Sequence, residues 1–485
     1  MLPPLRRLCI CILLTTFLSF TTQNLLLPLT STIFDGIDKT PHQLLRTATL
    51  RSSNRHHQRR AQRRSQHDGG VSLPLTSGSD YTLSFSVGTH HPQKVTLYMD
   101  TGSDLVWLPC SPLECILCDG KPTSTPLSNS ALNHSTSVSC TSPSCSAVHS
   151  SLRTSDLCAI AGCPLEFIET DTASCSTSAC PAFYYAYGDG SLVARLRQEH
   201  VSIPSGSGKP IHIPKFTFGC AHTSLGEPIG VAGFGRGVIS LPAQISELSP
   251  HLGKQFSYCL ISHSFDSKRA RHPSPLILGR RNDVHDSDSK FTYTPMIDNP
   301  KHPHYYSVGL RAISIGDLRI QADNRLSTID GDGNGGLVID SGTTFTMLPS
   351  KMYEKVKDEF AKTMVGNGYL RSTQMEDATG LSPCYHHGRG NGKRRVPKLV
   401  LHFSGNASLT LPRRNYYMGL TRGGKHAGCL MLINGGDETD DGPAGTLGNI
   451  QQQGFEVVYD LEGGRVGFAR KECSSLWTSM SKLNN

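Results

Sequence analysis

The stretch that decides the fold is LYMDTGSDLVW, Leu97 to Trp107. An apolar run, Leu97-Tyr98-Met99, leads straight into a carboxylate, Asp100. Burying an ionised carboxylate is costly unless it is paired or hydrogen-bonded. Thr101, Gly102 and Ser103 offer hydroxyl and backbone donors in a tight turn, but one charge in one turn is half an explanation. The other half is a second copy, LVIDSGTT, from 337 to 344. Both copies read apolar strand, Asp, Ser or Thr, Gly, Ser or Thr. Each is followed by a second shared element, Val231-Ala232-Gly233 in GVAGFGRG and Leu447-Gly448 in GTLGNI. Repeats in the same order predict a mainly β chain of two related lobes, each presenting one Asp at a strand end. If the lobes face each other, Asp100 and Asp340 share a site. Two such carboxylates cannot both ionise comfortably, so one keeps its proton. The ionised member then serves as general base and the protonated one as general acid. That pair hydrolyses an amide through an activated water, with no metal, cofactor or covalent intermediate.

The remaining chain bounds this reading. Its 485 residues, with 47 Gly and 29 Pro, suit a turn-rich globular protein of two or three domains or one large two-lobed one. The net charge of +8 suggests nucleic-acid binding until it is located. Residues 1–70 carry ten Lys/Arg against three Asp/Glu, and the body carries 37 against 36. The body is neutral, which excludes a basic nucleic-acid surface as the main function. The start, MLPPLRRLCICILLTTFLSFTTQ, has Arg6 and Arg7 before an apolar run too short to span a bilayer, as in a secretory signal peptide. No later segment reads as a membrane span. The basic run RTATLRSSNRHHQRRAQRRSQ, 46 to 66, reads as a solvated tail or, ahead of a folded body, as a removable prosegment.

Cysteine usage agrees with export. Apart from Cys9 and Cys11, fourteen cysteines remain, nine of them between Cys110 and Cys180. Nine is odd, so full pairing needs at least one bridge from this cluster to the rest, with connectivity open. Cys115 and Cys118 have the spacing of a zinc pair, but an oxidising compartment favours a disulfide. The sequons at Asn133 and Asn406 are candidate glycosylation sites. DGDGNGG, 330 to 336, imitates a calcium loop but has Ser341 where the bidentate Glu is needed, so a Gly-rich hairpin feeding the Asp340 strand is expected. His386 and His387 sit in a Gly-rich basic stretch that reads as a solvated loop. The clearest helix starts at Ser350 as N-cap, with Met352, Val356 and Phe360 on one face.

These motifs together resemble the pepsin-like aspartic proteases, in the cysteine-rich plant form of the nepenthesins. The resemblance rests on D-T-G-S followed by Trp107, on Tyr187-Gly188-Asp189-Gly190-Ser191, and on the second turn Asp340 to Thr343. FGC ending at Cys220, SYCL at 257–260 and VVYDLEGGRVGFA at 457–469 extend it. It implies a bilobal acid-protease fold with the cleft between the lobes. It also implies Asp100 and Asp340 as catalytic residues, supported by Thr101, Gly102, Ser103, Ser341, Gly342 and Thr343. Thr101 and Ser341 would lace the lobes together, while Ser103 and Thr343 would bond the outer carboxylate oxygens. Tyr187, Gly188, Asp189 and Gly190 would form a flap, with the Tyr187 hydroxyl near the Trp107 indole. Cys384 would pair with Cys429. The extra Cys158 and Cys163 depart from the pattern and leave pairing in the insertion open.

The expected organisation is a signal peptide at 1–22 and a basic prosegment at 23–70. An N-terminal lobe at 71–304, with its Cys-rich insertion at 110–180, precedes a C-terminal lobe at 305–485. The expected activity is acid endoproteolysis of polypeptides by a secreted monomer, in the apoplast or cell wall, with the vacuole as the alternative destination. Near neutral pH the basic prosegment would lie over the cleft, and acid would release it. The rival is an inert binding protein of the same fold, like the plant xylanase inhibitors.

Overall fold

The computed structural model describes residues 25–31, 41–61, 81–118, 123–149, 179–187, 190–204, 210–262, 273–279, 291–388, 395–422, 425–436 and 442–483. The fold is mainly β, and its two halves repeat one arrangement. In the first half, β2 (Tyr81–Val87) pairs antiparallel with β3 (Gln93–Asp100). The end of β3 pairs in parallel with Val231–Gly233, placing Asp100 opposite Gly233. In the second half, Leu337–Ile339 pairs in parallel with Gly445–Leu447. The strand after each Asp turn repeats as well. β4 (Trp107–Ile116) runs parallel to Ile211–Leu225, and Thr346–Leu348 runs parallel to Leu432–Asn434. The apolar pair read as the second shared element is thus the strand that locks each Asp-bearing turn.

A continuous sheet joins the halves. Ser274–Leu278, Gln255–Cys259, Phe455–Asp460, Arg465–Arg470 and Thr292–Ile297 pair in that order, all antiparallel. β1 (Leu25–Ser31), from the expected prosegment, joins this sheet on Ser274–Leu278 and also reaches β2. Leu25, Leu26, Leu27 and Leu29 are buried there. Phe256 and Tyr459 stack there with ring centroids 4.7 Å apart, and Tyr306 packs edge-on to Phe256 and tilted against Tyr459.

The helix read from the 3.6-residue period spans Ser350–Gly366, and Met352, Val356 and Phe360 are buried as expected, with Tyr353 and Met364 beside them. Its cap differs from expectation. Pro349 holds the cap position without a side-chain bond, and the Ser350 hydroxyl bonds Asn434 instead. The larger correction lies upstream. As far as Ala61 the basic run is helical, where a solvated tail is one expectation: α1 spans Pro41–Ala61. Leu45, Ala48, Thr49, Ser52, Arg55 and His56 form its buried stripe, the i, i+3, i+4, i+7 pattern of one helix face. Leu45 and Ala48 pack with Phe345, Met375, Leu381 and Met431 of the C-terminal lobe.

Every described cysteine is disulfide-bonded. Cys110–Cys220 is the bridge that the odd count required from the cluster to the rest of the chain. Cys115–Cys118 is a disulfide, and Cys384–Cys429 pairs as the resemblance implied. Cys158 and Cys163 lie outside the described residues. Cys259–Cys473 closes a separation of 214 residues and ties the inter-lobe sheet to the C-terminal helix. Replacing both of these with Ala should cost about 3–5 kcal/mol. A thermal or denaturant midpoint measures this, and an unchanged midpoint would show that the bridge does not restrain the unfolded chain.

Candidate active site

The two Asp-bearing turns are built alike and meet between the lobes. Asp100 and Asp340 are 2 % and 0 % exposed. The Gly102 amide donates to Asp100 Oδ1 at 2.9 Å, and the Gly342 amide to Asp340 Oδ1 at 2.8 Å. Ser103 Oγ donates to Asp100 Oδ2 at 2.6 Å, and Thr343 Oγ1 donates to Asp340 Oδ2. Each carboxylate therefore has one amide and one hydroxyl donor from its own turn, which offsets the cost of its burial.

The turns are laced across the lobe boundary. The Thr101 amide donates to Ser341 Oγ at 3.0 Å, and the Ser341 amide to Thr101 Oγ1 at 2.9 Å. Each hydroxyl donates onward across the boundary, Thr101 to the Ile339 carbonyl and Ser341 to the Met99 carbonyl. Four bonds thus fix one turn against the other. A Cβ on Gly342 would overlap Asp100 Oδ1, so the turns approach closely enough to require glycine there.

Beneath this lattice lies a buried polar support that the sequence reading quoted only as motifs. Tyr258, from SYCL, and Tyr459, from VVYDLEGG, bring their hydroxyls within 2.7 Å of each other. Tyr258 also interacts with Thr101, and burial pushes both phenols up. Asn449 donates to the Ser341 carbonyl at 3.0 Å. Gln452 donates to the Leu447 carbonyl at 2.9 Å.

One functional residue was missed altogether. Arg55 of α1 reaches between the carboxylates, with Nη2 2.5 Å from Asp100 Oδ1 and Nε 3.1 Å from Asp340 Oδ2. Its side chain is 6 % exposed. Beside it, His56 is buried and lies 3.4 Å from Thr446 Oγ1. Ser52 Oγ accepts the Phe345 amide, and Thr49 Oγ1 donates to the Thr379 carbonyl. The helix therefore fits the C-terminal side of the cleft with polar as well as apolar contacts. A guanidinium shared by two carboxylates is a charge-assisted contact that planar Arg suits well. It also occupies the space between the two carboxylates.

The flap reading is covered in part. Phe183–Tyr187 and Gly190–Ile203 form an antiparallel hairpin that pairs Tyr187 with Gly190. Gly188 and Asp189 at its tip, and the side chain of Tyr187, lie outside what the structure describes. Trp107 is fully buried among Leu105, Phe183, Leu192 and Val231. The two sequon asparagines, Asn133 and Asn406, are exposed. DGDGNGG is a turn in which the Asp330 carboxylate accepts the Asp332 and Asn334 amides, and it leads into the Asp340 strand. Cys145, His149 and Cys180 lie close enough to suggest a metal site, but the two sulfurs form a disulfide. His386 and His387 lie on a strand, Cys384–His387, rather than in the solvated loop expected.

Two lobes with one laced Asp turn each define the class: a pepsin-like acid-protease fold with both carboxylates in place. Residues 81–280 match the family model described as xylanase inhibitor N-terminal, and residues 305–470 match its C-terminal counterpart. A probable aspartyl protease of Arabidopsis thaliana is 54% identical over 436 residues, covering 84% of this chain and 85% of that one. Aspartic proteinase nepenthesin-1 of Nepenthes gracilis is 30% identical, covering 91% of this chain and 88% of that one. Among solved structures, basic 7S globulin from soybean superposes with a TM-score of 0.60 at 19% identity, covering 94% of this chain and 99% of that one; it speaks to the fold alone. The chain belongs to the pepsin-like aspartyl protease family, in its cysteine-rich, nepenthesin-type plant form.

Proposed function

We propose that the protein is a secreted aspartic endopeptidase, made in a latent form and active at acidic pH on polypeptides. The observation that carries this reading is the pair Asp100 and Asp340, each with its full set of donors, laced together by Thr101 and Ser341. Once Arg55 leaves, a water takes its place between the carboxylates. The ionised carboxylate accepts a proton from that water as its oxygen bonds the scissile carbonyl carbon. The other carboxyl gives its proton to the carbonyl oxygen. The resulting gem-diol collapses as the amide nitrogen takes a proton and the C–N bond breaks. The substrate lies extended in the cleft, held by main-chain bonds and side-chain pockets.

Latency is supported by Arg55. Its two contacts are ion pairs only while the carboxylates are ionised. Acid that protonates them leaves a buried, unpaired guanidinium, which is strongly unfavourable. α1 then leaves, and processing near residue 71 removes it together with β1. The signal-like N-terminus and the disulfides support export, to the apoplast or cell wall, with the vacuole as the alternative destination. Among the described residues, no helix is long and apolar enough to cross a membrane.

The name of the matching family models favours a second reading, an inert binding protein. Both intact turns weigh against it, and the flap tests it. Tyr187→Ala should cut peptide turnover strongly while leaving the acid-side pH profile in place, because closure is lost and the carboxylates are not. Tyr187→Phe should cost only about 1 kcal/mol, the worth of one hydroxyl hydrogen bond. Turnover of a fluorogenic peptide with apolar residues flanking the scissile bond reads both. An alanine variant as active as wild type would make the hairpin ordinary packing.

A further inference from the structure

Asp104 follows the catalytic turn directly, yet neither the repeat nor the mechanism uses it. Its side chain is half-buried, and its carboxyl accepts the Gly237 amide at 2.8 Å. The chain wraps closely around it. A Cβ on Gly235 or Gly237 would overlap its carboxylate oxygens, and one on Gly233 would overlap its backbone. That explains three glycines in GFGRG that no positive φ demands, since side chains would displace the carboxyl.

Three other pieces of the site converge here. The same glycine loop bonds the catalytic turn, with the Phe234 amide donating to the Asp100 carbonyl and the Gly235 amide to the Ser103 carbonyl. The Arg236 amide donates to the His304 carbonyl, tying in the segment that enters the second lobe. From the flap hairpin, the Tyr185 hydroxyl accepts the Asp104 amide and feels both Asp104 and Asp100. Tyr185 on the hairpin and Tyr306 on the inter-lobe segment both feel the carboxyl; Tyr305 and Asp100 lie next to Tyr185, and Arg236 next to Tyr306. Arg236 itself is drawn outward to Asp298 at 2.9 Å.

We propose that Asp104 is a positioning residue for this site, a carboxyl that fastens the catalytic turn, the root of the flap and the inter-lobe segment into one unit.

The unit is built for acid. Burial raises the Asp104 carboxyl from 3.8 to about 6, against the opposing pull of the Gly237 amide. A carboxyl whose folded pKa is raised binds its proton more tightly in the native state than in the unfolded chain. Its contribution to stability is therefore full on the acid side and is lost as pH rises from about 4 through about 6. Ionised, the group has the Gly237 amide as donor beside the Tyr185 and Tyr306 phenols, and the fastening loosens. The flap root would then be held best at the pH where the Asp pair works. This deepens the endopeptidase reading and rests on it for the activity measurement alone.

The test compares Asp104→Asn and Asp104→Ala with wild type in the full-length chain. Asn imitates the protonated carboxyl in shape and hydrogen bonding. Thermal midpoints of the unprocessed protein should coincide for wild type and Asp104→Asn at about pH 4 and below, separate in favour of Asn as pH rises through about 6, and keep that separation above it. After acid activation, Asp104→Ala should lose about ten- to a hundredfold in kcat/KM through misplaced geometry. Asp104→Asn should restore most of that loss. Parallel midpoints for wild type and Asn across the whole pH range would overturn the proposal. So would an alanine variant as active as wild type in an active enzyme. If no variant and no wild type hydrolyses peptide while the midpoints diverge as expected, the fastening stands and the endopeptidase reading fails.

Discussion

Asp100→Asn and Asp340→Asn should each lower hydrolysis at acidic pH by at least about a thousandfold while the protein stays folded. In the proposed mechanism the two carboxylates act as a unit, one taking a proton as the other gives one, so losing either stops both halves of the exchange. The fold should survive because an amide keeps the shape of the carboxylate, accepts the Gly102 or Gly342 amide, and relieves the crowding of two like charges. Each variant also deprives Arg55 of one charged partner, so α1 should be held less tightly in both. Activity is measured on a peptide across the acid range, and folding by thermal midpoint. Near wild-type turnover in a well-folded variant would remove that Asp from the mechanism.

The second large effect concerns Arg55. Arg55→Ala removes the cation from a buried site whose other two members are carboxylates, a change that costs about 3–5 kcal/mol in comparable buried pairs. The cost falls on the docked state of α1, because Arg55 reaches Asp100 and Asp340 only when the helix lies in the cleft. The cleft then opens without acid. The variant should cleave peptide near neutral pH, where wild type is latent, and should be processed at a higher pH than wild type. A variant as latent as wild type would show that the remaining stripe, Leu45 to Ser52 with His56, holds the helix unaided. Arg55→Lys should be intermediate, since an ammonium meets one carboxylate well but cannot fork between two.

Much of this site was legible because a carboxylate in a laced turn tolerates few substitutes. Asp, a hydroxyl residue, Gly and a second hydroxyl each answer a separate bond, so both copies kept their spelling. The Ser350–Gly366 helix was legible because its buried face is apolar at helical spacing. α1 was not, for the opposite reason: four of the six residues in its buried stripe are Thr49, Ser52, Arg55 and His56, so no apolar period marks it. Its seat is a polar cleft, and its face matches. β1 was hidden by its neighbour. LLLPLTS follows an apolar leader, and a strand buried in a sheet carries the same unbroken apolar run. Asp104 was overlooked because its role depends on Gly233, Gly235 and Gly237, more than a hundred residues away, which only the fold brings round it. Cysteine pairing was likewise a matter of geometry, apart from the count that required a bridge such as Cys110–Cys220.

The most direct measurement incubates the purified full-length protein with a denatured protein across a pH series. Substrate fragments and the intact mass of the chain itself are followed in the same samples. The expected result is that hydrolysis appears only on the acid side, together with loss of the basic segment that carries Arg55, to a new start near residue 71. Loss of that segment with the denatured protein untouched at every pH would contradict it, and would leave Asp100 and Asp340 as the floor of a binding cleft.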